Sequence, residues 1–65
     1  MEIIINGIQE EIDSWTISQL VERRGLQAGS LVIELNREII KQAEWAEVHL
    51  QEGDKLELLS FVGGG

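Results

Sequence analysis

One short stretch, Thr16 to Gly25, carries a helical period, and it constrains the fold more than any other part of this chain. Ile17, Leu20 and Val21 recur at i, i+3 and i+4, which stacks three apolar side chains on one helix face. Thr16 and Gln19 fit a capping box, and Gly25 falls where a helix stops, so the spacing predicts a helix of about nine residues. Almost everything else reads as short strands and turns. A single short helix must therefore cover whatever sheet the remaining residues build.

Glu2-Ile3-Ile4-Ile5 is rich in β-branched residues and runs into Asn6-Gly7, the dipeptide best suited to the paired positive φ angles of a tight hairpin. Ile8 to Ile12 reads as the returning strand. Leu31-Val32-Ile33-Glu34-Leu35 is strand again, with Asn36-Arg37-Glu38 as a turn and Ile39-Ile40 as a short following strand. Gln42 to Val48 lacks β-branching until its end and fits a single helical turn around Trp45. Gly53-Asp54 marks another turn before Lys55-Leu56-Glu57-Leu58 alternates polar with apolar. The order is β-β-α-β-β-β, an α+β arrangement in which one main helix packs on one face of a mixed sheet of four to five strands. No repeat, linker or low-complexity segment precedes the C-terminal glycines.

With 65 residues and no cysteine, the chain has room for one small domain and no disulfide to staple it. Thiolate metal sites, persulfide chemistry and a cysteine nucleophile are excluded on the same ground. Twelve acidic against five basic residues give a net charge of −7, which repels phosphate backbones and argues against direct contact with nucleic acid. The longest apolar run, Ile3-Ile4-Ile5, is far short of the roughly 20 residues of a membrane span. No basic segment leads into an apolar one after Met1, so a cytoplasmic protein without a signal peptide is expected.

Little in the chain resembles catalytic machinery. His49 is the only histidine and has no Cys, Asp or Glu around it at a metal-ligand spacing, so it reads as a surface or strand-edge residue. Glu10-Glu11 and the pair Glu44 and Glu47 read as solvated faces, and Arg23-Arg24 suit the negative end of the helix dipole. No phosphate-cradling glycine motif is present. Trp45 is expected to seal a thin core and Trp15 to be partly exposed. No metal, no bound cofactor and no enzymatic activity of the chain itself are expected.

The usable chemistry lies in Phe61-Val62-Gly63-Gly64-Gly65. Glycine lacks a Cβ, so such a segment can thread a channel too narrow for side chains, and the Gly65 carboxylate has no branch shielding it from a nucleophile. On its own a short glycine run reads equally as a frayed or engineered end. The preceding strand adds weight to the first reading. Its alternation buries Leu56 and Leu58 on one face, which turns Leu59 and Phe61 to the other, either under loops or as an apolar contact patch beside the tail. The expected organisation is a domain over residues 1–61 and a flexible tail over 62–65.

Taken together, Val32-Ile33-Glu34-Leu35-Asn36, Glu44-Trp45, Gly53-Asp54 and the terminal Phe61-Val62-Gly63-Gly64-Gly65 make the chain resemble the ThiS family of small ubiquitin-like sulfur carriers. The resemblance implies a β-grasp fold and a monomer when free. It implies that Gly65 is adenylated by a ThiF-type, E1-like enzyme using ATP, converted to a thiocarboxylate with sulfur from a cysteine desulfurase, and consumed by a ThiG-type thiazole synthase. Gly63 and Gly64 would thread the partners' clefts, and Leu59, Phe61 and Val62 would form the docking surface. Carriers for molybdopterin synthesis or tRNA thiolation, and ubiquitin-like protein modifiers, share this design. The chain departs from the family in having Arg37 where glycine is frequent and Lys41 where proline is frequent. A positive φ at Arg37 would cost about 1 kcal/mol.

Overall fold

The structure, a computed structural model, describes residues 1–13 and 15–61. Two hairpins flank one strand. The first pairs β1 (Glu2–Ile5) with β2 (Ile8–Glu11), the second pairs β3 (Leu31–Leu35) with β4 (Glu38–Ile40), and β5 (Lys55–Ser60) lies between them. The sheet order is β2-β1-β5-β3-β4, with β5 parallel to β1 and antiparallel to β3. That is the β-grasp arrangement, and it realises the mixed sheet with five strands.

Both hairpin turns use two residues with positive φ. Asn6 and Gly7 have φ of 51° and 82°, and Asn36 and Arg37 have 51° and 75°. The second turn is tighter than the expected three-residue one, because Glu38 opens β4 opposite Leu35. The first hairpin ladder continues one pair beyond β2: the Ile12 amide donates to the Met1 carbonyl at 2.8 Å, and the Met1 amine donates back to the Ile12 carbonyl at 2.8 Å. Glu11 Oε2 also accepts from that amine at 3.0 Å and, as a neighbouring negative charge, holds it above its ordinary pKa.

Helix α1 (Ile17–Arg23) has seven residues between the caps Thr16 and Arg24, and these caps complete the expected length. The capping box forms in both directions: the Gln19 amide donates to Thr16 Oγ1 at 3.2 Å, and the Thr16 amide donates to Gln19 Oε1 at 2.9 Å. At the other end Gly25, at φ 67°, lets the Gly25 and Leu26 amides reach back to the carbonyls of Glu22 and Val21, a Schellman stop.

Ile17, Leu20 and Val21 pack against Ile3, Ile5, Ile33 and Leu56, so the helix covers one face of the sheet as its period requires. Trp45 is 3% exposed and closes the core, its indole Nε1 donating to the Ile40 carbonyl at 2.9 Å. It follows a 3-10 turn over Gln42–Glu44 rather than an α-helical one. Trp15 is half-buried, with the Arg23 guanidinium 5.2 Å from its ring centroid. Among the described residues no helix is long and apolar enough to cross a membrane.

Candidate functional site

The residues that sequence reasoning placed at the site divide into two groups. Val62, Gly63, Gly64 and Gly65 lie outside the described residues. Leu59 and Phe61 are described, and both stand on the sheet face opposite the helix, each 50% exposed. Among the described residues no loop covers them, which settles one question the sequence left open.

Alternation along β5 produces this placement. Leu56 is fully buried and Leu58 half-buried against the core, whereas Lys55, Glu57 and Leu59 point away from it. Across the ladder Leu59 pairs with Val32, Glu57 with Glu34 and Leu56 with Leu35. Ile39, opposite Glu34 on β4, shares the outer face and is 68% exposed. The face therefore carries an apolar band toward the C-terminal end of β5, two carboxylates across its middle, and Lys55 with Asn36 and Arg37 toward the start of that strand.

The root of the tail is firmly held. Strand β1 turns away after Ile5, which would leave the Leu58 backbone unpaired on that side. The Asn6 side chain takes its place: Oδ1 accepts from the Leu58 amide at 2.7 Å and Nδ2 donates to the Leu58 carbonyl at 3.3 Å. On the other hairpin Asn36 acts on the start of the strand, Oδ1 accepting from the Lys55 amide at 3.0 Å and Nδ2 donating to Asp54 Oδ1 at 3.1 Å. Beyond the strand, the Phe61 amide donates to the Ser30 carbonyl at 2.9 Å. The chain is thus tied to the sheet up to the residue before Val62.

Elsewhere the described residues bring no catalytic set together. His49 is exposed and bridges Thr16 as a strand-like pair. No three His, Cys, Asp or Glu side chains among the described residues could share a metal ion. On the helix side of the tail root an open depression of about 470 Å³ lies between Arg24, Leu26, Leu58 and Ser60. Its one cation, Arg24, is ion-paired with Glu10. Sequence reasoning missed Ile39, Ile8, the Glu34 and Glu57 pair and the asparagine clamps. A doublet such as Ile39-Ile40 in a strand must send one member outward, so the first was open to detection. The others depend on register.

The family model described as the ThiS family matches residues 3–65. The chain is 38% identical over 63 residues to the sulfur carrier protein ThiS of Bacillus subtilis, covering 94% of this chain and 96% of that protein. It is 35% identical over 66 residues to a thiazole synthase of Paramagnetospirillum magneticum, a match that takes in 100% of this chain but spans only 20% of that protein. Among solved structures, the crystal structure of the thiamine biosynthesis protein ThiS from Geobacter metallireducens superposes with a TM-score of 0.86 at 29% identity, covering 100% of both chains.

Proposed function

The chain belongs to the ThiS family, and from that premise we propose that it is a sulfur carrier of thiamine biosynthesis whose cargo is attached at Gly65. The observation that carries this reading is the joint one at the end of β5. A strand clamped on both sides delivers the chain, at Phe61, to the edge of an exposed apolar face, and the glycines follow directly. The family match extends over them to residue 65.

The chemistry follows from what a free carboxylate lacks. Hydroxide is a poor leaving group, so the Gly65 carboxylate must be activated before sulfur can enter. In a ThiF-type enzyme, a carboxylate oxygen attacks the α-phosphorus of ATP and pyrophosphate departs, leaving a glycyl adenylate. The terminal sulfur of a persulfide charged by a cysteine desulfurase then attacks the acyl carbon and AMP departs, leaving an acyl disulfide. A thiol reductant cleaves its S–S bond to release the Gly65 thiocarboxylate and a disulfide. Gly63 and Gly64 let the segment enter a cleft without side chains. Leu59, Phe61 and Val62 form the surface on which each partner docks, so that docking aims the tail into an active site. The chain is the carried substrate, and its partners supply the catalysis.

A thiazole synthase is the acceptor in this scheme. The Paramagnetospirillum relative of that name, which contains a counterpart of the whole chain, supports the choice. Intact-protein mass spectrometry after incubation with ATP, the adenylating enzyme and a sulfur donor tests the reading. Replacement of one oxygen by one sulfur, mapped to Gly65, is expected. An unchanged mass with a competent enzyme, or lysine-linked adducts in its place, overturns it.

A further inference from the structure

Glu34 and Glu57 stand directly opposite each other on neighbouring strands in the middle of the sheet's outer face. Like charges in that position oppose pairing of the strands they sit on. Neither takes part in the ion pairs found among the described residues, which join Glu11 to the Met1 amine and Glu10 to Arg24. Lys55, the next outward residue on β5, and Arg37 line the same depression as Glu34 and Glu57 on the side away from Leu59 and moderate the repulsion, while the two carboxylates remain directly opposite each other. One step toward the tail, roughly 7 Å along the strands, the next outward pair is Leu59 with Val32.

We propose that this face recognises a thiazole synthase through a basic side chain of that enzyme inserted between Glu34 and Glu57, with the Leu59 and Val32 pair seated in an apolar socket beside it. The inference rests on the carrier reading above and adds the chemistry of the partner. A second copy of the chain is a poor occupant. Face-to-face pairing would set two such carboxylate pairs against each other on molecules that each carry a net charge of −7. A basic group in the gap relieves the cross-strand repulsion between the two carboxylates. Position matters as well: a cation fixed one step from the apolar socket sets the register in which the tail approaches the active site.

The test uses the full chain, the thiazole synthase of the same organism, and calorimetric titration at low and moderate salt. The double variant Glu34→Gln/Glu57→Gln is expected to melt at a higher temperature than the parent, to bind about tenfold more weakly, and to lose most of the salt dependence of binding. Glu22→Gln, on the exposed face of α1, removes a charge away from the surface and is expected to leave affinity unchanged. Equal affinity and salt dependence in the double variant and the parent overturn the inference. So does equal weakening by Glu22→Gln, which would reduce the effect to net charge, or weakening confined to the adenylating enzyme. Thiocarboxylate formation on the parent chain is followed in parallel by mass spectrometry. Its loss strikes the carrier reading, whereas its presence beside unaltered synthase binding strikes only this inference.

Discussion

Arg37 is the residue whose chemistry is most at odds with its place. It holds φ at 75°, a left-handed conformation that crowds a Cβ against the backbone, at the second position of a turn in which Asn36 is also left-handed. Arg37→Gly is therefore expected to stabilise the chain by up to about 1 kcal/mol, visible as a rise of several degrees in thermal melting. The other residue-scale prediction concerns the tail. Gly64→Val is expected to leave the melting curve unchanged and to slow adenylation strongly, because a branched side chain obstructs a cleft shaped for glycine. Single-turnover kinetics with the adenylating enzyme would decide it, and a normal rate would remove Gly64 from the threading role.

At the scale of elements, the two hairpins act as jaws on β5, and each jaw closes with a turn asparagine. Asn6 holds Leu58 and Asn36 holds Lys55, so the strand leading to the tail is fixed near both ends. Asn6→Gly keeps the left-handed turn but removes both side-chain hydrogen bonds. It is expected to cost about 1 kcal/mol in urea unfolding with an unchanged m-value, and to raise hydrogen exchange at the Leu58 amide. Unaltered exchange there would show that the clamp does not hold the tail root. The elements themselves were largely legible. Asn6-Gly7, the Thr16 and Gln19 capping box and the Gly25 stop are local devices, written within a few residues of where they act. The clamps were not legible, because Asn6 and Leu58 are 52 residues apart and meet only when β5 inserts beside β1.

For the molecule as a whole, the helix occupies one face of the sheet and, among the described residues, leaves the other open, the asymmetry on which the proposed docking surface rests. Ile17, Leu20 and Val21 of α1 share the buried cluster with Ile3, Ile5, Ile33 and Leu56, and among the described residues no second layer covers Leu59, Phe61 and Ile39. Phe61→Asp is expected to leave thermal stability within about 0.5 kcal/mol of the parent, since the side chain is half exposed, while weakening binding to the adenylating enzyme at least tenfold. Calorimetry showing equal affinity would free Phe61 from the docking surface.

From the order of its residues the chain determined its own elements, its main helix, the change of phase along Lys55 to Phe61, and a C-terminal run of three glycines. Those depend on periodicity, turn stereochemistry and the missing Cβ of glycine, all of which act over a few residues. Only the tertiary structure decided that Leu59 and Phe61 are uncovered, that Glu34 meets Glu57, and that side-chain amides continue the ladder where β1 ends. These are consequences of register between strands far apart in sequence. A shift of one residue in the pairing of β5 would turn Glu57, Leu59 and Phe61 to the opposite face and take Leu58 away from Asn6.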